Sequence, residues 1–404
     1  MTNPGQKTHN KPSGNSPVIT MFMCGDVMTG RGIDQILPHA SDPSINERYM
    51  RTVGARRILG LFRRILPDAI VYKRYVKSAR EYVELAEMAN GLIQQPVGNS
   101  YIWGDALEGL ERRAPDLRII NLETSITKSN NHWKGEGIHY RMHPENITCI
   151  EAAKIDCCSL ANNHVVDWGY SGLLETLESL DKIKVKRAGA GKNAGEAASP
   201  VVIEVDGKGS KTSGIPLAWA ASEDEPGVNL LKDLSDETVL DIKERIQKVK
   251  QQGDILAASI HWGRNWDYKI PDKQIEFAHK LIDQAGVDVI HGHSSHHVKG
   301  IEVYKGNAII YGCGDLLNDY EGHINFYKDF RGDLGLMYFV SLNSSTGKLV
   351  NLQMTPTKVK RLRVNRASKT DALWLRDTLN RECKRFGTRV ELKEHDNALI
   401  LEWD

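Results

Sequence analysis

The 404-residue sequence has no long hydrophobic run and no excess charge of one sign. None of its apolar stretches approaches the roughly 18 residues that a membrane-spanning helix needs, so we expect no transmembrane segment. Residues 1–17 are polar and lack the charged start and apolar stretch of a secretory signal, so we expect a disordered tail there. The formal net charge of +1 creates no overall field that would attract nucleic acid. These absences favour a soluble, cytoplasmic protein that binds no nucleic acid.

The sequence also lacks a regular cysteine pattern. Its six cysteines include no CxxC pair, which argues against a disulfide framework and against a cysteine zinc site. Cys157 and Cys158 are adjacent in a strand-like run, so their side chains should point to opposite faces of the strand. We therefore expect buried free thiols in a reducing compartment.

Strand-like and helix-like segments alternate along most of the chain, which indicates an α/β layered fold. The predicted helices are 144–154, 171–182, 236–251, 272–285 and 370–385. The predicted strands are 18–24, 117–121, 156–160, 200–205, 215–220, 254–260, 287–290, 301–304, 307–311, 335–341, 388–393 and 398–402. Residues 18–345 form the predicted main domain, which includes a mostly helical insert at 45–114. Residues 346–404 are predicted to be a small α+β extension packed on it.

Five apolar runs end in polar clusters whose residue types bind metals. These clusters are Gly25-Asp26, Leu122-Glu123, Asn162-Asn163-His164, His261-Trp262-Gly263 and His291-Gly292-His293-Ser294-Ser295-His296. Apolar runs rich in Val and Ile are typical of buried strands, and open α/β sheets bind ligands at the carboxyl ends of their strands. We therefore expect the clusters to meet at one rim. Because Asp, Glu, Asn and His are ligands of divalent metals, a metal-dependent enzyme is the leading hypothesis.

The histidine cluster gives the strongest local signal. His291, His293, His296 and His297 lie within seven residues, and clustered histidines often mark metal binding. We predict His293 and His296 as the ligands of this cluster. The other predicted ligands could instead cap helices or stabilise turns; they are Asp26, Glu123, Asn163 and His261.

Three residues are predicted to act on the substrate. His164 is assigned to proton transfer, since an unperturbed histidine pKa near 6.5 suits that role. Asp167 would orient the imidazole or act directly, although loop carboxylates also stabilise turns. Arg31 follows a glycine-bearing loop and would bind an anionic group through its planar guanidinium. A further polar stretch, Gly312 to Tyr320, is either a wall of the site or an ordinary loop.

Residues 51–80 carry nine Arg and Lys side chains and a single acid, Asp68. Hydrophobic residues alternate there with arginine pairs in a helical rhythm. Such a segment could meet anionic lipid or an acidic polymer. We favour the simpler interpretation, a packed helix with a solvated basic face.

Six ordered motifs resemble the CapA family, whose members are associated with capsule and poly-γ-glutamate synthesis. The motifs are GDVMTGR, NLETSIT, LANNHVVDWG, SIHWGRNW, GVDVIHGHSSHHVKGIEVYKG and YGCGDLLNDY, within residues 18–345. Because that family is similar in fold to calcineurin-like metallophosphoesterases, the resemblance implies a four-layer α/β/β/α sandwich and one or two divalent ions (Mn, Fe, Zn or Mg). The motif positions that match ligands are Asp26, Glu123, Asn163, His261, His293 and His296. Met28 departs from the superfamily pattern, because it stands where that pattern has a histidine.

The resemblance implies a hydrolase-like metalloenzyme of capsule, poly-γ-glutamate-type polymer or peptide metabolism, acting on an amide- or ester-linked substrate. The substrate would be an anionic polymer, a peptide or a small molecule, and a polymer synthase is an expected partner. Phosphoester hydrolysis, peptide epimerisation and a non-catalytic accessory role remain alternatives. The polar strand ends favour an enzyme, whereas the basic segment 51–80 favours the accessory role.

Overall fold

The computed structural model describes residues 17–50, 74–134, 136–201, 203, 219–322 and 328–404. The strands are β1 (Val18–Val27), β2 (Ser44–Met50), β3 (Arg74–Ser78), β4 (Leu117–Leu122), β5 (Ser125–Ile126), β6 (Arg141–Met142), β7 (Cys157–Ser159), β8 (Lys186–Ala188), β9 (Ala190–Gly191), β10 (Gly227–Val228), β11 (Ala257–His261), β12 (Val289–His293), β13 (Ile301–Tyr304), β14 (Asn307–Ile310), β15 (Asp315–Leu317), β16 (Leu334–Asn343), β17 (Leu349–Val359), β18 (Val364–Arg366), β19 (Arg389–Leu392) and β20 (Leu399–Glu402). The α-helices are Arg31–Ile36, Arg80–Asn90, Asp105–Arg113, Thr148–Ala152, Gly169–Lys182, Ala194–Ala198, Asp236–Gln247, Asp272–Ala285 and Lys369–Cys383.

Two sheets organise the described residues and confirm the α/β class. The main sheet has the order β19-β20-β17-β16-β1-β4-β7-β8, with β15 also paired to β1 and β18 to β17. Its β1, β4, β7 and β8 run parallel, whereas β16 and β17 are antiparallel. The second sheet has the order β11-β12-β14-β13, in which the first three strands are parallel. Both sheets therefore direct carboxyl ends of parallel strands toward a shared region.

Side chains that alternate along the strands divide the interior of the described residues into three large hydrophobic cores. Phe22 and Ile120 of the main sheet pack in the first core, together with helices Asp105–Arg113 and Gly169–Lys182. Met21 and Met23, on the opposite face of β1, share the second core with the second sheet. The other face of the second sheet packs against helices Asp236–Gln247 and Asp272–Ala285, and this contact forms the third core. Each fully buried Leu, Ile or Phe side chain contributes about 1.5–3 kcal/mol to this packing.

Helix Asp272–Ala285 shows how the sequence sets the element ends that flank the second sheet. Pro271 precedes the first turn, and Gly286 caps the helix after Ala285 with a φ of 70°, in the left-handed region that glycine tolerates. Phe277 and Leu281 face the third core at a helical spacing of four. Local signals of this kind predicted the helix at its observed bounds.

The described part of the predicted helical insert contains strands as well as helices. Among residues 45–114, β2 pairs with β3 ahead of helices Arg80–Asn90 and Asp105–Arg113. Ile45 and Val76 pack with Tyr82 in a small separate core. These contacts are long-range, so helical periodicity could not indicate them.

The segment after residue 345 also joins the main sheet. Strand β17 pairs with β16 along most of its length, and β20 pairs with β17. The predicted boundary between 18–345 and 346–404 stays a prediction, although strands on both sides of it share one sheet. Helix Lys369–Cys383 contributes Leu375 and Leu379 to the second core.

Several predictions fall outside the described residues. They concern the tail 1–16, most of the basic segment 51–80, and most of the strands predicted at 200–205 and 215–220. All six cysteines are buried and free, as predicted. Within the described ranges, no helix combines the length and the apolar character needed to cross a bilayer.

Candidate metal centre

The polar strand ends meet where the two sheets adjoin. In the main sheet, Asp26 is in register with Asn121 of β4 and with Asp315 of β15. In the second sheet, His261 of β11 is in register with His293 of β12. Parallel pairing therefore places these side chains side by side, at the rim expected from the sequence.

Close backbone contacts hold the strands together at this rim. A Cβ atom at Gly25 would lie 1.7 Å from the Gly314 carbonyl oxygen, and one at Gly292 would lie 2.6 Å from the Ile310 carbonyl oxygen. Only glycine allows such approaches. His291 links the sheets through a 2.7 Å contact between its Nε2 atom and the Cys24 carbonyl oxygen.

The first ligand group consists of Asp26, His261 and His293, whose candidate ligand atoms all lie within 4.8 Å of one another. The Nδ1 atoms of the two histidines are 2.9 Å apart, and His293 Nδ1 lies 3.9 Å from Asp26 Oδ1. Ser259 Oγ lies 2.9 Å from His293 Nε2 and so fixes the ring from the other side. Burial is the main cause that lowers the pKa values of both histidines, which keeps the imidazoles neutral and able to bind a cation.

The second ligand group consists of Asp26, His296 and Asp315, again within 4.8 Å. His296 Nδ1 lies 3.0 Å from Asp315 Oδ1 and its Nε2 lies 3.1 Å from Asn265 Nδ2. Burial opposes the charged form of His296, but the two neighbouring carboxylates raise its pKa overall. Asp315 was not among the predicted ligands, although it lies in the polar stretch Gly312 to Tyr320, which was predicted to be either a wall of the site or an ordinary loop.

Asp26 belongs to both groups and is almost completely buried. Asn121 Nδ2 donates a 2.7 Å hydrogen bond to its Oδ1 atom, whereas Oδ2 has no partner among the described residues. Burial, reinforced by the charge of Asp315, raises the pKa of Asp26 to about 7. A buried carboxylate pair with a free oxygen is costly for a fold unless a cation compensates it.

The polar sequence after β7 supplies two asparagines. Asn162 Nδ2 donates to Asn121 Oδ1 at 3.1 Å and to the Leu122 carbonyl at 2.7 Å, so this residue braces the rim. Asn163 is the predicted ligand, and its Oδ1 atom is buried without a hydrogen-bond partner among the described residues. A buried amide oxygen without a hydrogen-bond partner can coordinate a metal ion.

Glu123 approaches the first ligand group without belonging to it. Its Oε1 atom lies 3.9 Å from His261 Nε2. Burial, together with the charges of Asp26, Asp315 and Asp167, raises the pKa of Glu123 well above its usual value. Added cationic charge would relieve the repulsion among these carboxylates.

His164 and Asp167 form a buried dyad beside the two groups. His164 Nδ1 lies 2.7 Å from Asp167 Oδ2, which also accepts a 2.6 Å hydrogen bond from the Tyr140 amide. The Tyr140 ring lies against the imidazole, with ring centroids 3.9 Å apart. Burial, with Arg31 and His296 as further causes, lowers the pKa of His164 to about 3. The imidazole is therefore neutral and a weaker base than a free histidine, and with Nδ1 engaged by Asp167 its Nε2 atom is the one left to accept a proton.

Arg31 lies in an ion cluster that occupies most of its donors. Its Nε donates a 3.1 Å hydrogen bond to Asp319 Oδ2, its Nη2 pairs with Asp319 Oδ1, and its Nη1 donates to Glu47 and Tyr82 at 3.0 and 2.7 Å. The guanidinium carbon also lies 4.7 Å from the centre of the Tyr140 ring. Arg31 thus contacts the ring that covers His164, and its charge is balanced inside the protein.

Aromatic side chains line the histidine cluster. Trp266 contacts His296, with ring centroids 5.1 Å apart, whereas Trp262 is buried and donates to the Tyr311 carbonyl at 3.0 Å. His297 accepts a 3.2 Å hydrogen bond from the Asp267 amide, so it holds the following loop. Ser294 has a φ of 94°, a strained value for a non-glycine residue, in the turn between His293 and His296.

Comparison with known proteins agrees with these motifs. A family model described as bacterial capsule synthesis protein PGA_cap matches residues 20–320. A probable polyglutamine synthesis accessory protein of Mycobacterium tuberculosis is 41% identical over 396 residues, which cover 96% of this chain and 97% of that protein.

More distant relatives carry the CapA name. The PGA biosynthesis protein CapA of Bacillus subtilis is 28% identical over 213 residues, which cover 51% of this chain and 54% of that protein. The capsule biosynthesis protein CapA of Bacillus anthracis is 28% identical over 196 residues, 48% of this chain and 47% of that protein. The family model spans about three quarters of the sequence, and the chain therefore belongs to the bacterial capsule synthesis protein family PGA_cap, which confirms the predicted resemblance to CapA.

Proposed function

We propose that this chain is a metal-dependent enzyme of capsule or poly-γ-glutamate-type polymer or peptide metabolism. Its substrate would be an anionic polymer, a peptide or a small molecule with an amide or ester link. The observation that carries the proposal is Asp26, a buried carboxylate shared by two ligand groups and left with an unpartnered oxygen. Such a donor set suits a divalent cation of the manganese, iron, zinc or magnesium class.

The residues fit one or two ions. Asp26, His261 and His293 would hold one ion, and Asp26, His296 and Asp315 the other. The free oxygens of Asp26 and Asn163 support this assignment, and Glu123 would add negative charge close by. When bound, divalent metal polarises a carbonyl or phosphoryl oxygen and activates water.

In this proposal, His164 carries out proton transfer. Asp167 fixes Nδ1 of the imidazole, so that Nε2 accepts a proton from the attacking group and returns it to the leaving group. The Tyr140 ring packs against the imidazole and limits water contact on that side. Arg31, predicted from the sequence to bind substrate, is assigned a positioning role because Asp319, Glu47 and Tyr82 already accept or share its donors.

We further propose the four-layer α/β/β/α sandwich for the fold. The support is the order of the three large hydrophobic cores. One lies between helices and the main sheet, one between the two sheets, and one between the second sheet and its helices. A cytoplasmic location is proposed on the six buried free thiols.

A non-catalytic accessory role is the second candidate. The Mycobacterium tuberculosis relative, similar along nearly its whole length, is named as a probable accessory protein of polyglutamine synthesis. In that role the chain would bind a polymer synthase, and the metal groups would stabilise the fold. Phosphoester hydrolysis and peptide epimerisation use the same donors and remain variants of the catalytic proposal.

Metal content measured by mass spectrometry, followed by a turnover assay of the loaded protein, separates the candidates. We expect one or two divalent ions per chain, lost in the double variant His293→Ala/His296→Ala and kept in His395→Ala, an exposed histidine far from the rim in sequence. The wild type, loaded with manganese, iron or zinc, is then screened against γ-glutamyl amides, peptide amides and phosphoesters. His164→Ala should keep the metal and lose turnover. A wild type without metal after reconstitution would overturn the proposal in favour of the accessory role.

A further inference from the structure

Two tyrosine hydroxyls meet between the dyad and the second ligand group. The Oη atoms of Tyr140 and Tyr320 lie 3.3 Å apart, which is a long hydrogen bond. Catalytic hydrogen bonds are often long before substrate binds. The Tyr140 ring lies against His164, with ring centroids 3.9 Å apart, and the Tyr320 ring meets His296 edge-on at 5.4 Å. The pair therefore connects the residue assigned to proton transfer with a residue assigned to metal binding.

The backbones of both tyrosines are tied to carboxylates of the candidate site. The Tyr140 amide donates a 2.6 Å hydrogen bond to Asp167 Oδ2. The Tyr320 amide donates a 3.2 Å hydrogen bond to Asn318 Oδ1, and Asn318 Nδ2 donates to Asp315 Oδ2 at 2.9 Å. The same residues that position the dyad and the second ligand group thus hold the two hydroxyls, as a preorganised donor requires.

Both phenols keep their hydrogens in this environment. Burial is the main cause that raises the pKa of Tyr140, and the charge of Glu123 adds to it against the opposing charge of Arg31. Burial likewise raises the pKa of Tyr320, with the charges of Asp315 and Glu123 among the further causes. The two hydroxyls are therefore neutral donors within electrostatic reach of Glu123 and of the second ligand group.

The exposure of the two rings indicates which hydroxyl a bound molecule can reach. Tyr140 is 2% exposed, whereas Tyr320 is half-buried. One hydrogen of the pair forms the mutual bond, so we assign Tyr140 as its donor and Tyr320 as its acceptor. A hydroxyl that accepts a hydrogen bond is polarised and becomes a stronger donor itself.

We propose that the Tyr320 hydroxyl is a catalytic hydrogen-bond donor, which contacts the substrate oxygen that gains negative charge in the reaction. Tyr140 is the positioning residue that orients it. This inference rests on the proposed function and adds a residue to its site. A carbonyl oxygen in amide or ester hydrolysis, an enolate oxygen in epimerisation and a phosphoryl oxygen in phosphoester hydrolysis all gain charge, so one donor serves each variant. The hydrogen stays on Tyr320 throughout.

Tyrosine-to-phenylalanine substitutions test the donor because they remove the hydroxyl and keep the ring. In Tyr320→Phe, kcat for the substrate found by the screen should fall about a hundredfold to a thousandfold, while KM changes little and metal content is kept. Tyr140→Phe should lower kcat less. The double variant should be no slower than Tyr320→Phe, because Tyr140 acts through Tyr320. The matched control is Tyr101→Phe, which removes a hydroxyl that donates to the Arg361 carbonyl at 2.9 Å and should keep full kcat.

Calorimetric titration with inorganic phosphate gives a measurement that needs no substrate. The tetrahedral oxygens of phosphate stand in for the charged oxygen of the attacked group. Metal-loaded Tyr320→Phe should bind phosphate about tenfold to hundredfold more weakly than the loaded wild type, as expected for the loss of a hydrogen bond to a charged group. Tyr101→Phe should bind phosphate as the wild type does. Equal phosphate affinity in Tyr320→Phe and the wild type would overturn the donor.

Metal content and melting temperature separate this inference from the proposed function and from a structural role. A wild type that holds metal and turns over a substrate, beside a Tyr320→Phe variant with the same kcat, would refute the donor alone. A wild type without metal after reconstitution would refute the catalytic proposal and the donor with it. A Tyr320→Phe variant that loses metal or melting temperature, but keeps its kcat per bound metal, would show that the hydroxyl only supports the fold.

Discussion

Replacing Arg31 by Met should destabilise the protein strongly, because Arg31 is the cation of a buried cluster. Its side chain is 2% exposed, and its partners Glu47 and Asp319 have side chains that are 4% and 0% exposed. Methionine keeps much of the volume but removes every donor. Asp319 would keep a 3.1 Å hydrogen bond from the Gly32 amide and lose its charge partner.

The size of the effect follows from this burial. Breaking a buried ion pair by removing one partner typically costs about 3–5 kcal/mol, since the remaining charge stays uncompensated. Removing both charges in Arg31→Met/Asp319→Leu should recover part of that loss for the same reason. By contrast, Arg245→Met breaks an exposed ion pair with Asp241 on a helix surface, which is worth only about 0.3–0.5 kcal/mol.

Urea unfolding of the four proteins, followed by tryptophan fluorescence and circular dichroism, measures these differences. If Arg31 has a positioning role, the free energy of unfolding should decrease in the order wild type, Arg245→Met, double variant, Arg31→Met. If Arg31→Met unfolds at the same urea concentration as Arg245→Met and yet loses substrate turnover, Arg31 acts on the substrate. The sequence-based assignment of Arg31 to substrate binding would then be the correct one.

Three further predictions concern the rim. Asp315→Asn should lower metal content as much as His296→Ala does, measured by mass spectrometry; unchanged content would remove Asp315 from the ligand set. Gly292→Ala would place a Cβ 2.6 Å from two carbonyl oxygens and should cost about 1–3 kcal/mol, whereas Gly98→Ala, with open space around it, should leave the melting temperature unchanged. Burial lowers the pKa of His291 to about 4. Between pH 6.5 and 4 the unfolded chain therefore binds a proton that the folded chain does not. As the pH falls through this range, the free energy of unfolding should decrease by up to about 3 kcal/mol. His291→Gln should flatten that part of the stability profile of the metal-free protein, and an unchanged slope would contradict the shifted pKa.

Local sequence signals predicted the elements that depend on local chemistry. Residues 272–285 form the predicted helix because an apolar stripe lies between Pro271 and Gly286. The predicted strands at 301–304 and 335–341 are observed with ends within two residues. The same reasoning brought Asp26, His261 and His293 to one rim, since residues at the carboxyl ends of parallel strands must lie near one another.

Local sequence patterns could not predict which distant segments pair in a sheet. Strand β17 reads as the start of an extension, yet it pairs with β16 in the main sheet. Strand β2 was assigned to a helical insert, whereas its Glu47 accepts a hydrogen bond from Arg31. The sequence left the stretch that contains Asp315 open between a wall of the site and a loop, because only the register of Asp315 with Asp26 across β1 and β15 brings it to the rim.

The departure at Met28 has a structural explanation that bears on the ligand set. Met28 packs in the first core and its Sδ atom accepts a 3.1 Å hydrogen bond from the Gly30 amide. Its side chain therefore packs away from the rim. Asp315 supplies a donor within 4.8 Å of Asp26 and His296 instead. In the proposed metal centre, this second carboxylate would make the second ligand group more negative and favour a harder cation.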